Sequence, residues 1–174
     1  MTAPAAPVVI RRSRPEDLGA VLRIEHLSFS DPWTADALYG ELGADALRLS
    51  LVAERAGQVC GYLMAWLVVD QLHVLNIAID PDARRLGLGT ALLAEAARRA
   101  EPLGMVDVTL EVRRSNTGAR QFYRRHGLRE VGLRPGYYGD NGEDAIIMTG
   151  PLSDLAALSG PAPAGAGAEG ENPD

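Results

Sequence analysis

Three groups of residues in this sequence have the types and spacing to do chemistry. The first is Asn76-Ile77-Ala78-Ile79-Asp80-Pro81 followed by Arg84-Arg85-Leu86-Gly87-Leu88-Gly89-Thr90. A strand-like apolar run ends there, two arginines and two glycines follow, and a helical pattern begins at once. Glycines let a backbone approach a ligand closely, and the first-turn N–H groups of a helix lack partners within it. The positive end of the helix dipole favours an anion, typically by about 0.3–1 kcal/mol at exposed sites. Two familiar phosphate loops are excluded. A P-loop needs Gly-Lys before Ser or Thr, and this chain has no lysine; the dinucleotide fingerprint needs glycine where Leu92 stands. A pyrophosphate cradle of another kind and an ordinary strand–turn–helix junction both remain open.

The second group is Glu111, near the end of the strand-like run Val106 to Val112. A carboxylate there could act as a general base, and it could equally be a solvated side chain on the polar face of a strand. The third is Asn116 with Tyr123, two helical turns apart and so on roughly one helical face. A phenol there could donate a proton to a bound substrate, or it could pack in the core as Phe122 beside it is expected to do. His73 could face a substrate or simply be packed or exposed. His26 and His126 lie on helical patterns with no matching partner, and no His/Cys/acid spacing points to a metal. Cys60, the one cysteine, lies between Val59 and Gly61 and reads as a buried small hydrophobe.

These residues need a scaffold, and the chain supplies it in a definite order. Val8-Val9-Ile10 is a short β-rich run. Ser13, Pro15, Glu16 and Asp17 mark a helix start, and helical spacing runs to about Ser28. A break at Phe29-Ser30-Asp31-Pro32-Trp33 leads to Thr34, which caps a second helix to about Leu42. Strand-like runs Leu47 to Glu54 and Val59 to Val69 are joined by Ala56-Gly57, the composition of a hairpin turn. A third run, Leu72 to Ile79, stops at Asp80-Pro81. An amphipathic helix spans Ala91 to Ala100, and a strand spans Val106 to Val112. Asn116 to His126 is helical and stops at Gly127. Strands Arg129 to Leu133 and Ala145 to Met148 flank a glycine-rich loop around Tyr137 to Gly142. The order predicts a single domain of mixed α/β (α+β) class over residues 8–152. Residues 1–7 are expected to be disordered, as is the Ala/Gly/Pro-rich acidic segment 153–174.

Composition narrows the class further. The chain has 174 residues, 47% hydrophobic and 23% charged, enough for a sizeable core. A formal charge of −6 argues against a general nucleic-acid surface. Between Arg84 and Arg129, however, ten arginines meet four acids, a local balance of +6. A basic middle in an acidic chain suits one compact anion better than a polymer. No apolar run approaches the roughly eighteen residues of a membrane span. Residues 1–7 are too short and too weakly apolar for a signal peptide, and one cysteine fits a reducing compartment, so a cytoplasmic protein is expected.

The motifs together resemble a known family. Arg84-Arg85-Leu86-Gly87-Leu88-Gly89 is similar to the acyl-CoA loop of the GNAT acetyltransferase superfamily, a Gln/Arg-x-x-Gly-x-Gly/Ala pattern before a helix. Asn76 to Pro81, Leu110-Glu111-Val112-Arg113, Ser115-Asn116, Phe122-Tyr123, His126-Gly127, Tyr137-Tyr138 and Glu143 to Met148 resemble its RimI family, as does Phe29-Ser30-Asp31-Pro32-Trp33. That family acetylates protein N-termini, including a ribosomal protein beginning with alanine. The resemblance implies a central, mostly antiparallel twisted sheet of six to seven strands flanked by about four helices. It implies acetyl-CoA as cosubstrate, no metal, and a protein N-terminus as acceptor, possibly that of a small-subunit ribosomal protein. It also implies no direct contact with nucleic acid or membrane, and a monomer or weak dimer. By resemblance Glu111 is the proton acceptor and Tyr123 the general acid. Backbone groups of Ile77, Ala78 and Ile79 would meet the acetyl carbonyl and pantetheine amides. Arg85, Leu86, Gly87, Leu88, Gly89 and Thr90 would hold the pyrophosphate, and Asn116 would contact the CoA chain. Phe29, Trp33, Tyr137 and Tyr138 would wall the acceptor groove. A small-molecule amine as acceptor, or a CoA-binding module without catalysis, stays open as an alternative. Three positions depart from the pattern: Leu128 in place of Phe, Gly139 in place of Pro, and His73 in place of a polar or acidic residue.

Overall fold

The computed structural model describes residues 6–43 and 45–158. The expected disorder of residues 1–5 and of the segment from residue 159 onward falls outside the described residues. Seven strands form one sheet: β1 (Val8–Arg12), β2 (Arg48–Arg55), β3 (Gln58–Val68), β4 (Gln71–Ile79), β5 (Asp107–Arg113), β6 (Arg129–Arg134) and β7 (Ala145–Pro151). Their spatial order is β1-β2-β3-β4-β5-β7-β6. Every neighbouring pair is antiparallel except β4 with β5. That parallel pair is bridged by helix α3 (Leu88–Ala100), as a parallel connection requires.

Helices cover both faces. Leu49, Leu51 and Ala53 of β2 and Leu63 and Ala65 of β3 point to one side, where they meet Leu92, Leu93, Ala96 and Ala97 of α3. The alternate residues Val52, Tyr62 and Met64 point to the other side, against Val21 and Ile24 of α1 (Leu18–Ser28) and Leu38 of α2 (Ala35–Glu41). Burial on both faces explains why β2 and β3 read as nearly continuous apolar runs. Helix α4 (Thr117–Arg125) adds Ala119, Phe122 and Tyr123 to the α3 side.

Local signals set the boundaries. The β2–β3 turn places Ala56 at φ 51° and Gly57 at φ 76°, the pair of positive φ angles that matches strand twist in a two-residue hairpin. Thr34 accepts the Ala37 N–H at 3.2 Å and starts α2. Asn116 accepts the Ala119 N–H at 3.1 Å and starts α4, and Gly127 ends it at φ 90°.

The C-terminal boundary departs from expectation. Residues 152–156 form a further helix, α5 (Leu152–Ala156), where a disordered tail was expected from residue 153. Leu152 and Leu155 are fully buried. Arg98 of α3 donates to the carbonyls of Ala156 and Leu158, so the packed unit continues at least to Leu158. Two leucines three residues apart are too few to register as a periodic signal, and their burial is supplied by a helix far away in sequence.

Candidate functional site

The site begins where two strands part. β4 is paired with β3 along its length, but with β5 only from Gln71–Asp107 to Val74–Leu110. The β3–β4 register also jumps between Val74 and Asn76, leaving Leu75 as a bulge that bends β4. Past the bulge, β5 continues toward β7 and pairs with it through Arg113 and Ala145. A wedge therefore opens between two parallel strands, with Asn76 and Ile77 on one wall and Glu111 to Arg113 on the other. A cavity of about 500 Å³ fills it, lined by Asn76, Ile77, Glu111, Asn116, Tyr123 and Tyr138, with Phe29, Trp33 and Glu25 closing one side.

β4 runs from the wedge into the arginine–glycine loop. Asp80 accepts the Asp82 N–H at 3.0 Å and pairs with Arg23 of α1 at 2.7 Å, which fixes the loop's entry. Arg85 and Gly87 both have positive φ, 65° and 72°. Gly87 is the N-cap of α3 and offers its first turn no side-chain cap. Space beside Gly87 is open, with no atom within 4 Å of where a Cβ would stand. Leu88 is buried and anchors the turn from below. Uncapped N–H donors and open space, with two arginines in the loop just before them, fit a diphosphate group. α3 starts at Leu88, three residues earlier than the apolar spacing predicts, because Leu88, Gly89 and Thr90 form the turn that presents those donors.

Glu111 is clamped between two donors. Its Oε2 lies 2.6 Å from His73 Nε2, and its Oε1 accepts from Arg134 Nε at 3.2 Å. The His73 hydrogen bond, reinforced by the Arg134 charge, holds the Glu111 carboxyl below its ordinary 4.5 against partial burial. An ionised carboxylate only accepts, so His73 donates from Nε2. The contact follows from the parallel register. His73 stands opposite Thr109 on β5, and Glu111 follows two residues later on the same face.

Tyr123 is 5% exposed, and its ring meets Phe122 edge-on at 5.3 Å. Phe122 is the core residue of the pair and Tyr123 the one that reaches the cavity. Glu25, on α1, has only a helical position in the sequence to recommend it. It is 1% exposed, and its carboxylate accepts the Trp33 N–H at 2.9 Å, the Asn76 amide at 2.8 Å and the Tyr62 hydroxyl. One buried side chain thus pins the Phe29–Trp33 loop to β4.

Arg113 organises the opposite wall. Its guanidinium lies 4.0 Å over the Tyr138 ring, bonds both oxygens of Asp140 at 3.0 Å and reaches Glu143 at 3.3 Å. Glu143 also accepts the Ser115 N–H at 2.7 Å, which with Arg113 lowers its carboxyl to about 2. Burial pushes the Tyr138 phenol up to about 12, so it stays protonated. Tyr137 does not line the cavity. It is half exposed, packs edge-on against Tyr138 at 5.2 Å, and supports that ring from outside. Of the other histidines, His26 bonds only its own helix, through the Leu22 carbonyl at 2.8 Å. His126 bonds Thr90 Oγ1 at 2.8 Å and the Phe122 carbonyl at 2.6 Å, a pairing the sequence did not announce. Cys60 is buried, as its neighbours predict. Among the described residues no cluster of His, Cys, Asp or Glu could hold a metal, and no helix is long and apolar enough to cross a membrane.

Comparison with known proteins fixes the class. A model of the acetyltransferase (GNAT) family matches residues 18–128. The chain belongs to that family, and acetyl-CoA is its acetyl donor by class. Within the family it is similar to the ribosomal protein bS18-alanine N-acetyltransferase of Salmonella typhimurium, 37% identical over 139 residues, covering 79% of this chain and 93% of that protein. The corresponding enzyme of Escherichia coli K12 is 36% identical over 139 residues, with the same coverage. The crystal structure of the E. coli ribosomal-protein-S18-alanine N-acetyltransferase matches with a TM-score of 0.76 and 32% identity, covering 88% of this chain and 97% of that one.

Proposed function

We propose that this protein transfers an acetyl group from acetyl-CoA to the α-amine of a protein N-terminus, with an alanine-initiated ribosomal protein as the substrate class. The observation that carries the reading is the convergence of Glu111, Asn116 and Tyr123 on one wedge cavity, with β4 running on from its wall toward the uncapped start of α3. The relatives' substrate supports the choice of acceptor.

The chain's residues divide the work. Arg85 to Thr90 hold the pyrophosphate through first-turn N–H groups, and Asn116 contacts the pantetheine arm. Backbone groups of Ile77 to Ile79, on the wedge wall that lacks a β5 partner, orient the thioester and receive the developing oxyanion. A protein α-amine titrates near pH 7.7–8.0, so it must lose a proton around attack. Glu111 accepts that proton through a water, with His73 fixing the carboxylate's direction. Nitrogen bonds to the acetyl carbon, the carbon–sulfur bond breaks, and Tyr123 gives its proton to the departing thiolate. The transfer is direct, within a ternary complex, and no acetyl group is attached to the enzyme. Phe29, Trp33 and Tyr138 wall the incoming peptide.

A panel of peptides differing at the first residue, assayed beside small amines such as polyamines, tests this. Turnover on alanine-initiated peptides and its loss when the α-amine is blocked are expected. Turnover on small amines alone would overturn the acceptor assignment.

A further inference from the structure

Thr90 lies in the first turn of α3, and its hydroxyl is 2.8 Å from Nε2 of His126 at the end of α4. The other ring nitrogen, Nδ1, is 2.6 Å from the Phe122 carbonyl oxygen. A carbonyl only accepts, so Nδ1 carries a hydrogen. A neutral ring then presents a lone pair at Nε2, and the Thr90 hydroxyl donates to it. A hydroxyl has a single proton. While His126 is neutral, Thr90 has only lone pairs to offer an anion at the start of α3, the wrong polarity for a phosphate. With a second proton on the ring, Nε2–H donates to Thr90 Oγ1, and the Thr90 proton is released to point outward.

We propose that His126 is a positioning residue of the cosubstrate site: it sets the direction of the Thr90 hydroxyl, and the phosphates of CoA bind with uptake of a proton at His126. The inference rests on the reading of the α3 start as the pyrophosphate site. Two groups touch the ring, and two charged residues stand near it. Phe122 packs against it at 4.3 Å, and Thr90 reaches it from α3. Arg125 repels a positive charge there, and Asp154 of α5 lies against the adjacent Gly127. Burial, with Arg125, holds His126 below its ordinary 6.5, so the free protein at neutral pH carries the neutral ring. Bound phosphate, close to the Thr90 hydroxyl, favours the charged ring. By linkage the affinity for CoA then rises as pH falls through the His126 titration.

The test is the NMR titration of the histidine ring protons, with CoA as the probe. The chain has three histidines, assigned by single replacements of His26 and His73. Saturating CoA is expected to raise the His126 midpoint by about half a pH unit or more, equivalent to about a threefold gain in affinity across the titration. Pantetheine, which lacks the phosphates, should leave the midpoint in place, Thr90→Val should abolish the rise, and Thr90→Ser should keep it. A His126 midpoint unchanged or lowered by bound CoA, or an equal rise in Thr90→Val, would overturn the proposal while leaving the function intact. Failure of CoA to bind at all would overturn both.

Discussion

The two halves of the proposed site are built from different materials. At the α3 end, where the cosubstrate is proposed to sit, the main chain does the work: Gly87 opens the helix, its first-turn donors are uncapped, and Leu88 anchors the turn. At the acceptor end long-range side-chain pairs do it. Glu25 ties Trp33 to Asn76, His73 ties β4 to Glu111, and Arg113 ties β5 to Asp140 and Glu143. Backbone donors suit a partner whose chemistry never varies, such as a diphosphate. Side-chain clamps suit an acceptor whose sequence differs from one substrate to the next, because each clamp can be exchanged without refolding the sheet. The α3 end should therefore respond to backbone conformation and the acceptor end to charge.

Four substitutions sharpen or break that contrast. Tyr123→Phe removes the proposed proton donor while keeping the edge-on packing against Phe122, so kcat should fall by roughly 10²-fold with acetyl-CoA affinity retained. Steady-state kinetics beside a direct CoA titration checks it. Glu25→Gln replaces a buried carboxylate that takes three donors with a group carrying donors of its own. A loss of about 1–3 kcal/mol is expected, read as a lower denaturation midpoint. The acceptor KM should rise more than the acetyl-CoA KM as the Phe29–Trp33 loop loosens. Gly87→Ala meets no steric obstacle, yet it forces a side chain to adopt φ 72°. About 1 kcal/mol of strain is expected, felt as weaker CoA binding with the peptide KM unchanged. If the peptide KM moves instead, the division between the two ends fails.

The smallest effect is electrostatic. Glu111 is lowered by the hydrogen bond from His73, so the stability it contributes is fully present above about pH 4.5 and is lost as pH falls through its lower folded value. His73→Ala should reduce stability at neutral pH, and the gap from the unmodified protein should close in acid. Denaturation midpoints measured across that range provide the check. A gap independent of pH would mean that His73 contributes packing and not the clamp.

The same contrast governs what could be read from the sequence. Thr34, Ala56-Gly57, Asn116 and Gly127 were legible because each acts on backbone within a few residues of itself. The arginine–glycine loop was legible as a strand–turn–helix junction for the same reason, although the helix begins at Leu88 and not at Ala91. Glu111, Asn116 and Tyr123 stood out by residue type and spacing, and the fold brings all three to one cavity. His73 was left undecided because its partner lies 38 residues away, reached only through the parallel β4–β5 register. Glu25 went unnoticed because Asn76 lies 51 residues on. His126 looked partnerless because Thr90 belongs to another helix, 36 residues earlier. Nothing in local composition carries such pairs. A polar residue on an apolar helix face, as Glu25 is beside Val21 and Leu22 one turn earlier, was the one available signal.

The central claim is that one carboxylate on β5 serves the chemistry while the main chain at α3 holds the cosubstrate. Glu111→Gln keeps the shape of the side chain and its contact with His73, and removes its capacity to take a proton. Acetylation of an alanine-initiated peptide, followed by mass spectrometry alongside calorimetric titration of CoA, separates the two functions. The account predicts an unchanged dissociation constant for CoA and turnover reduced by roughly 10²-fold. Turnover equal to that of the unmodified protein, with CoA bound as before, would contradict it.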